Sequence, residues 1–307
     1  MAPTLTVGTR GSGLALRQTA LVVGALRRLH PGAEFAIQTI RSKGDRSSKT
    51  PLSALGRGIF VTELEDKLLD HRVDLVVHSL KDLPIDLLPG TTVVPVLERA
   101  DPRDALIDRW NAPLDELPPG ARIGTSSPRR EAQLLAARPD LRFLAIRGNV
   151  DTRVSKAIGR DYDGAVVAAA GLVRLGLTER VAEYLAPHVC MPAPGQGALA
   201  VEVRTEDDGL LRMVRALEHR ETVAAVEAER WVLRAAGGGC QVPIGALAVV
   251  DGPSLRLAAA SSALDGSSTF RVEVTWSADD SEGAGKAAYQ ALFKKNSAAL
   301  MDVKERP

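Results

Sequence analysis

The apolar positions fall into short blocks whose spacing switches between strand and helix periods. Thr4–Gly8 is a β-rich run, and after a polar turn at residues 9–13 Leu14, Gln18, Leu21, Ala25 and Leu29 recur at helical spacing. Phe35–Ile40 predicts a second strand. Phe60, Leu64, Leu68 and Leu69 predict a helix, and Asp74–Ser79 reads as a buried strand. A similar order then returns. Arg122–Thr125 predicts a strand, and a helix runs from Arg129 through Leu135, with Pro128 in the first turn where no amide donor is needed. Leu141–Ile146, Val150–Ile158 and Gly164–Ala168 predict strand, helix and strand. Gly8-Thr9 and Gly124-Thr125 each end a strand before a serine-bearing turn; Asp74 and Asp163 each open a strand whose next loop carries a cation, Lys81 or Arg174. Two similar α/β lobes are therefore expected, the alternative being chance likeness of generic βα units.

Residues 191–203 read as a Pro/Gly hinge followed by a strand, and Glu221–Ala235 as a helix led by an acid, as the helix dipole favours. Alternating strands at Ala246–Val250, Leu255–Ala260 and Thr269–Trp276, with Asp-Gly turns between them and a helix at Ala284–Phe293, predict a separate small α+β domain. Residues 41–58 are polar and unpatterned, and read as a long mobile loop.

At 307 residues two or three domains are expected. With 45% hydrophobic and 25% charged residues the chain has ordinary globular composition, and 4% aromatics leaves the core to Leu, Val, Ile and Ala. A net charge of +1 points to neither a polyanion binder nor a membrane-surface protein. Residues 1–20 contain Arg10 and Arg17 and no continuous apolar core, so no export signal is expected. Cys190 and Cys240 are expected to be reduced, and the expected compartment is the cytoplasm.

The average charge hides local cations: Arg10, Lys81, Arg129 with Arg130, Arg147 with Arg153, and Arg174. All but Arg153 are placed by the pattern near strand ends or helix starts, where open α/β sheets bind ligands and free helix amides favour anions. Solvated arginines paired with nearby acids are the plainer reading of any one of them. As a set they favour a polyanionic ligand, arginine being suited to forked recognition of carboxylate or phosphate. Asp82 follows the 74–79 strand beside Lys81, and a carboxylate held ionised there could stabilise a cationic intermediate and exchange protons with an amine; a turn-forming Asp before Leu-Pro is the alternative. Cys240 lies behind Gly237, Gly238 and Gly239 and ahead of Pro243, a frame that presents a thiol for covalent attachment, whereas Cys190 has no such frame. The histidines show no ligand-like spacing and no metal is implied. A Walker loop and a nucleophile elbow are both missing.

Eight stretches in order, TRGSGLA (9–15), DLVVHSLKDLP (74–84), RADPRDAL (99–106), GTSSPRR (124–130), RGNVDTR (147–153), AAAGLVRLG (168–176), PAPGQGA (192–198) and GGCQVPIG (238–245), resemble the porphobilinogen deaminase (hydroxymethylbilane synthase) family. The likeness weakens after about residue 250. It implies an α/β protein with two lobes like those of periplasmic binding proteins, built on mixed sheets, plus a small α+β C-terminal domain. The implied bounds are 1–97 with 198–216, 98–197, and 217–307. It further implies a transferase that deaminates porphobilinogen and joins four molecules head to tail on a dipyrromethane cofactor bonded through Cys240, with water then releasing the linear tetrapyrrole. Asp82 is the implied catalytic residue, the counter-charge to the azafulvenium cation left when ammonia departs. Lys81, Ser127, Arg129, Arg130 and Arg147 are implied to bind the cofactor with Cys240; Arg10, Ser12, Phe60, Arg153, Arg174 and Gln196 are implied to bind substrate. A monomer is implied, with no obligate protein, nucleic-acid or membrane partner. In one place the chain departs from the family pattern: the loop ending Leu55-Gly56-Arg57-Gly58-Ile59-Phe60 is one residue short, with Ala54 and Arg57 standing where lysines are common. A lid at residues 41–58 is still expected. A non-catalytic, two-lobed anion-binding protein and a nucleic-acid binder are the alternative classes, and covalent mass on the purified chain separates the first reading from both.

Overall fold

The computed structural model describes residues 4–40, 61–238 and 243–295. Its elements begin β1 (Thr4–Arg10), α1 (Gly13–Leu29), β2 (Glu34–Ile40), α2 (Thr62–Leu69), β3 (Leu75–Ser79) and β4 (Thr91–Val96). There follow β5 (Asp104–Asp108), β6 (Arg122–Gly124), α3 (Pro128–Ala137), β7 (Arg142–Leu144), α4 (Val150–Ala157), β8 (Gly164–Ala168), α5 (Ala169–Leu175) and β9 (Glu183–Leu185). The chain continues through β10 (Leu199–Arg204), α6 (Asp208–Arg215) and α7 (Arg220–Ala235), then β11 (Ile244–Asp251), β12 (Ser254–Ser262), β13 (Thr269–Ser277) and α8 (Ser281–Lys295). It divides into two units, residues 1–100 with 197–223 and residues 101–196 with 224–307.

The first unit holds a five-stranded sheet in the order β2-β1-β3-β10-β4. β1 runs parallel to β2 and β3, while β10 is antiparallel to β3 and β4. The second unit repeats this with β7-β6-β8-β5-β9: β6 is parallel to β7 and β8, and β5 antiparallel to β8 and β9. The central strands of each sheet are buried on both faces, since their successive side chains point to opposite sides and both sides are covered. In the second unit Leu106, Ile123 and Val166 pack with Leu134 of α3, and Ala105, Ile107, Ala165 and Val167 pack with Val154 of α4 and Leu172 of α5. In the first, Val22, Val23 and Leu26 of α1 cover Val7, Leu75, Val77 and Val201, and Leu64 and Leu68 of α2 cover Ile40, Val73 and Val76.

A three-stranded antiparallel meander, β11-β12-β13, forms the C-terminal part of the second unit. Ala225, Ala228 and Val232 of α7 and Ala284, Ala288 and Leu292 of α8 cover one face of it. The small residues let the helices approach; a Cβ at Gly285 would collide with Trp231. The meander is tied to the rest of its unit through backbone. Ala246 N–H donates to the Pro192 carbonyl (2.9 Å), and the buried Glu229 carboxylate accepts the N–H groups of Gly195 (2.7 Å) and Ala248 (2.8 Å).

The class is α/β with mixed sheets and a small α+β C-terminal domain, as expected. Boundaries differ in instructive places. β1 continues to Arg10 because that residue still pairs with Ile40 of β2. The strand predicted at residues 141–146 contracts to β7, because the Ile146 amide donates to Ser126 Oγ (3.1 Å) and not to a neighbouring strand. The apolar pattern does not predict β4, β5, β9 or α6. Among the described residues no helix is long and apolar enough to cross a membrane.

Candidate functional site

In the first unit four of the expected residues meet at the carboxyl edge of the sheet. β1 and β3 are parallel neighbours, so their C-terminal ends lie side by side. Arg10 is the last residue of β1, and Ser12 caps α1, its Oγ accepting the Ala15 N–H (3.2 Å). Lys81 and Asp82 occupy a single 3₁₀ turn, Leu80–Asp82, that follows β3 at once. The turn is fixed by Leu80 N–H donating to the Ala198 carbonyl and Leu83 N–H to the Leu80 carbonyl. Buried Leu80, Leu83 and Ile85 anchor it, so Lys81 is held half-buried while Asp82 stands exposed.

Beneath this edge lies a cluster that sequence reasoning did not assemble. His78 Nε2 meets Glu202 Oε2 at 2.8 Å, both side chains buried. Burial, then the Glu202 charge, push the Glu65 carboxyl above its usual range, against the pull of His78. Glu65 Oε1 and Glu202 Oε1 are buried without a hydrogen-bond partner among the described residues.

The second unit gathers cations at the matching edge. Ser127 caps α3, its Oγ accepting the Arg130 N–H (3.5 Å), and Pro128 opens the helix. Arg129 and Arg130 follow, and both are buried: their side chains are 6% and 7% exposed, and the Asp104 carboxylate between them is fully enclosed. Arg129 Nη1 lies 2.8 Å from Asp104 Oδ2 and also donates to the Met191 carbonyl and to Cys190 Sγ. Arg130 donates through Nε (3.1 Å) and Nη2 (2.8 Å) to Asp104 Oδ1 and through Nη1 to the Val166 carbonyl (3.1 Å). Burial alone would raise the Asp104 pKa, but Arg129 and then Arg130 hold it well below the usual carboxylate range, so the cluster carries one negative and two positive charges. Burial and the Asp104 charge push the Cys190 thiol up to about 12, leaving it neutral and unreactive.

The other arginines sit more openly. Arg147 is half-buried in the β7–α4 loop, and Ser126 clamps that loop by donating to the Ile146 carbonyl (2.7 Å). Arg153, in α4, donates through Nε to the Gly148 carbonyl (2.9 Å). Arg174 is placed differently from expectation, in the last turn of α5 and not at a strand end or helix start; burial pushes its guanidinium down to about 10. Gln196, expected to bind substrate, is fully buried and donates through Nε2 to the Pro102 carbonyl (2.7 Å) and Asp104 Oδ1 (2.8 Å). Phe60, Cys240 and the 41–58 loop lie outside the described residues. Among the described residues no group of three His, Cys, Asp or Glu could hold a metal ion.

The donors present suit a ligand bearing several carboxylates, since arginine forks and a serine-capped helix start are the usual partners of such groups. A dipyrromethane with carboxylate side chains fits that donor set. Asp104, Glu202 and Glu65 were missed in sequence. Asp104 had a signal, an acid leading directly into the apolar run Ala105-Leu106-Ile107. The partners that make it significant are distant along the chain.

Comparison with known proteins agrees with this chemistry. The family model described as "Porphobilinogen deaminase, dipyromethane cofactor binding domain" matches residues 5–212, and "Porphobilinogen deaminase, C-terminal domain" matches residues 223–294. The porphobilinogen deaminase of Roseiflexus castenholzii is 47% identical over 302 residues, 98% of this chain and 99% of that protein. That of Thermus thermophilus is 46% identical over 280 residues, 91% and 92% of the two chains. Among solved structures, a periplasmic substrate-binding protein of an ABC transporter from Coxiella burnetii is 18% identical and covers 74% of this chain and 96% of its own, with a TM-score of 0.44. Matched across nearly its whole length, the chain belongs to the porphobilinogen deaminase family.

Proposed function

We propose that this protein is a porphobilinogen deaminase, a transferase that condenses four porphobilinogen molecules head to tail with loss of ammonia and then frees the linear tetrapyrrole by hydrolysis. The observation that carries the reading is Asp82, an exposed carboxylate on a rigid turn at the sheet's carboxyl edge, in a chain of this family. A dipyrromethane group, joined through the Cys240 sulfur, supplies when bound the pyrrole carbon onto which the product grows.

The chain's own residues do the rest. Breaking the substrate's C–N bond releases ammonia and leaves a cation, and Asp82 is the counter-charge to it. At about 4 Å and an effective dielectric near 20 such a contact is worth roughly 4 kcal/mol. Realised mainly in the transition state, that is about a thousandfold in rate. Asp82 also accepts and returns the protons exchanged with the amine. Lys81, Ser127, Arg129, Arg130 and Arg147 hold cofactor carboxylates. Arg10, Ser12, Arg153 and Arg174 hold those of the substrate, and Phe60 lines the substrate. Gln196 serves from below, through the Asp104 carboxylate that it bonds. The domains in this reading are 1–97 with 198–216, 98–197, and 217–307, and the enzyme works as a cytoplasmic monomer.

Incubating the full chain with porphobilinogen tests the proposal. It expects ammonia to appear in step with substrate loss and a linear tetrapyrrole to accumulate; intact substrate at high enzyme concentration would overturn it.

A further inference from the structure

We infer that the buried His78–Glu202 contact fixes the register of β3 against β10 at the end that carries Asp82, an inference that rests on the proposed function. Both are then positioning residues for that carboxylate, and all the residues involved lie in the first unit.

β3 and β10 are antiparallel, with His78 opposite Ala200 and Val76 opposite Glu202. His78 and Glu202 therefore sit diagonally across the ladder, on the face where Val76 packs with Leu64 and Leu68 of α2. The pairing runs on past the last residue of β3. Leu80 N–H donates to the Ala198 carbonyl (3.1 Å), and Lys81 and Asp82 follow in the same 3₁₀ turn. Where β3 stands along β10 thus decides where Asp82 stands.

Apolar packing does not decide that by itself. On the α1 face Leu75 and Val77 lie opposite Val203 and Val201. A shift of two residues would keep every side chain on its own face and set Leu and Val against one another again, because only odd shifts exchange the faces. The polar residues of the α2 face are what distinguish the registers. Arg204 holds the far end of β10, donating through Nη1 to the Leu68 and Val73 carbonyls (both 2.9 Å). His78 Nε2 and Glu202 Oε2, 2.8 Å apart, hold the end nearest the turn. A shift would part them inside the core.

The pair is poorly built for stability. Its side chains are 6% and 0% exposed, and Glu202 Oε1 has no hydrogen-bond partner among the described residues. Buried ionisable pairs with unmatched oxygens are often no better for stability than apolar residues of the same volume. What a buried polar contact supplies well is discrimination between registers. The other face of the same strand end is fixed separately, Gln18 Nε2 donating to Ser79 Oγ (2.8 Å).

The test sets stability against turnover in the full chain as purified. His78→Leu/Glu202→Leu replaces the pair with apolar side chains of similar volume. It is expected to melt at or above the wild-type temperature. Its kcat with porphobilinogen is expected to fall by about tenfold or more, since a misplacement of ~1 Å costs up to about a hundredfold. KM should stay within about twofold. Hydrogen exchange in the peptide spanning residues 75–83 should quicken. Wild-type turnover or unchanged exchange in the double variant overturns the inference. So does a double variant that fails to fold or melts well below wild type, because the pair would then be holding the fold. His78→Gln, whose amide can donate to Glu202 Oε2, should keep kcat within about threefold of wild type, whereas His78→Leu should not. Equal losses in those two single variants also overturn the inference. Wild-type enzyme that leaves porphobilinogen intact overturns the proposed function itself, a result distinct from any difference between variants.

Discussion

In the first unit Asp74 accepts the Thr6 N–H (2.7 Å) and donates its own N–H to the Thr6 carbonyl; in the second, Asp163 does the same with Arg122, accepting at 3.0 Å. A serine then caps the first helix in each, Ser12 on α1 and Ser127 on α3. The frameworks are thus repeated down to single hydrogen bonds. What lies beneath the two carboxyl edges is not. The first unit buries His78 with Glu202 and Glu65, two acids to one imidazole, under a turn that exposes Asp82. The second buries Arg129 and Arg130 around Asp104, two cations to one acid. One repeated scaffold thus buries an excess of acids beneath the edge in one copy and an excess of cations in the other.

That contrast can be broken most severely at Asp82. Asp82→Asn should lower turnover by about a thousandfold and leave melting unchanged, since the side chain is exposed and the turn is held by backbone. A large fall in melting temperature would mean that the residue holds the fold and not the chemistry. Next in size is Asp104→Ala, which strands two buried guanidinium groups. Uncompensated buried charge typically costs about 3–5 kcal/mol, or roughly 10 °C in the melting of a unit of this size. Calorimetry should show that loss, and a change within about 1 kcal/mol would deny that the cluster is electrostatically coupled.

pH sharpens the comparison because the two units respond with opposite sign. Glu65 has a raised pKa, so its favourable contribution is complete below the ordinary carboxylate value of 4.5 and is lost as pH rises through the folded value. Glu65→Gln should therefore gain on wild type as pH rises above 4.5. Asp163 is held down to about 2, first by its Arg122 hydrogen bond, so its contribution is complete above 3.8 and disappears as pH falls towards 2. The Asp163→Asn deficit should shrink over that window. Urea melts of both variants across pH would reveal the two signs, and parallel curves would contradict them. The smallest effect concerns Cys190: iodoacetamide at neutral pH should leave it unlabelled in the native protein and label it once unfolded, because the native thiol is buried and neutral. Rapid native labelling would place that thiol at the surface.

Much of the scaffold was legible because its signals are local. Ser12 and Ser127 before apolar periodicity, Pro128 at the first helical position, and Asp-Gly between alternating runs each fix a conformation within a few residues. β9 and α6 escaped because one is a three-residue strand and the other is dominated by Asp208, Arg212 and Arg215 with only Leu210 and Val214 buried. Cations near the sheet edges were legible as a set. Their unequal burial was not, because Asp104 lies 25 residues before Arg129 and 86 before Cys190, and nothing local announces which arginines turn inward. Gln196 shows the same limit: it reads as a polar residue in a hinge, yet its amide points into the Asp104 cluster.

Intact mass spectrometry of the full, active chain, followed by peptide mapping, tests the central claim most directly. The account predicts a mass excess of one linked pair of pyrroles, located on the peptide containing Cys240 and growing by single pyrrole units when porphobilinogen is added. A turning-over preparation whose Cys240 peptide carries only a plain thiol would contradict it.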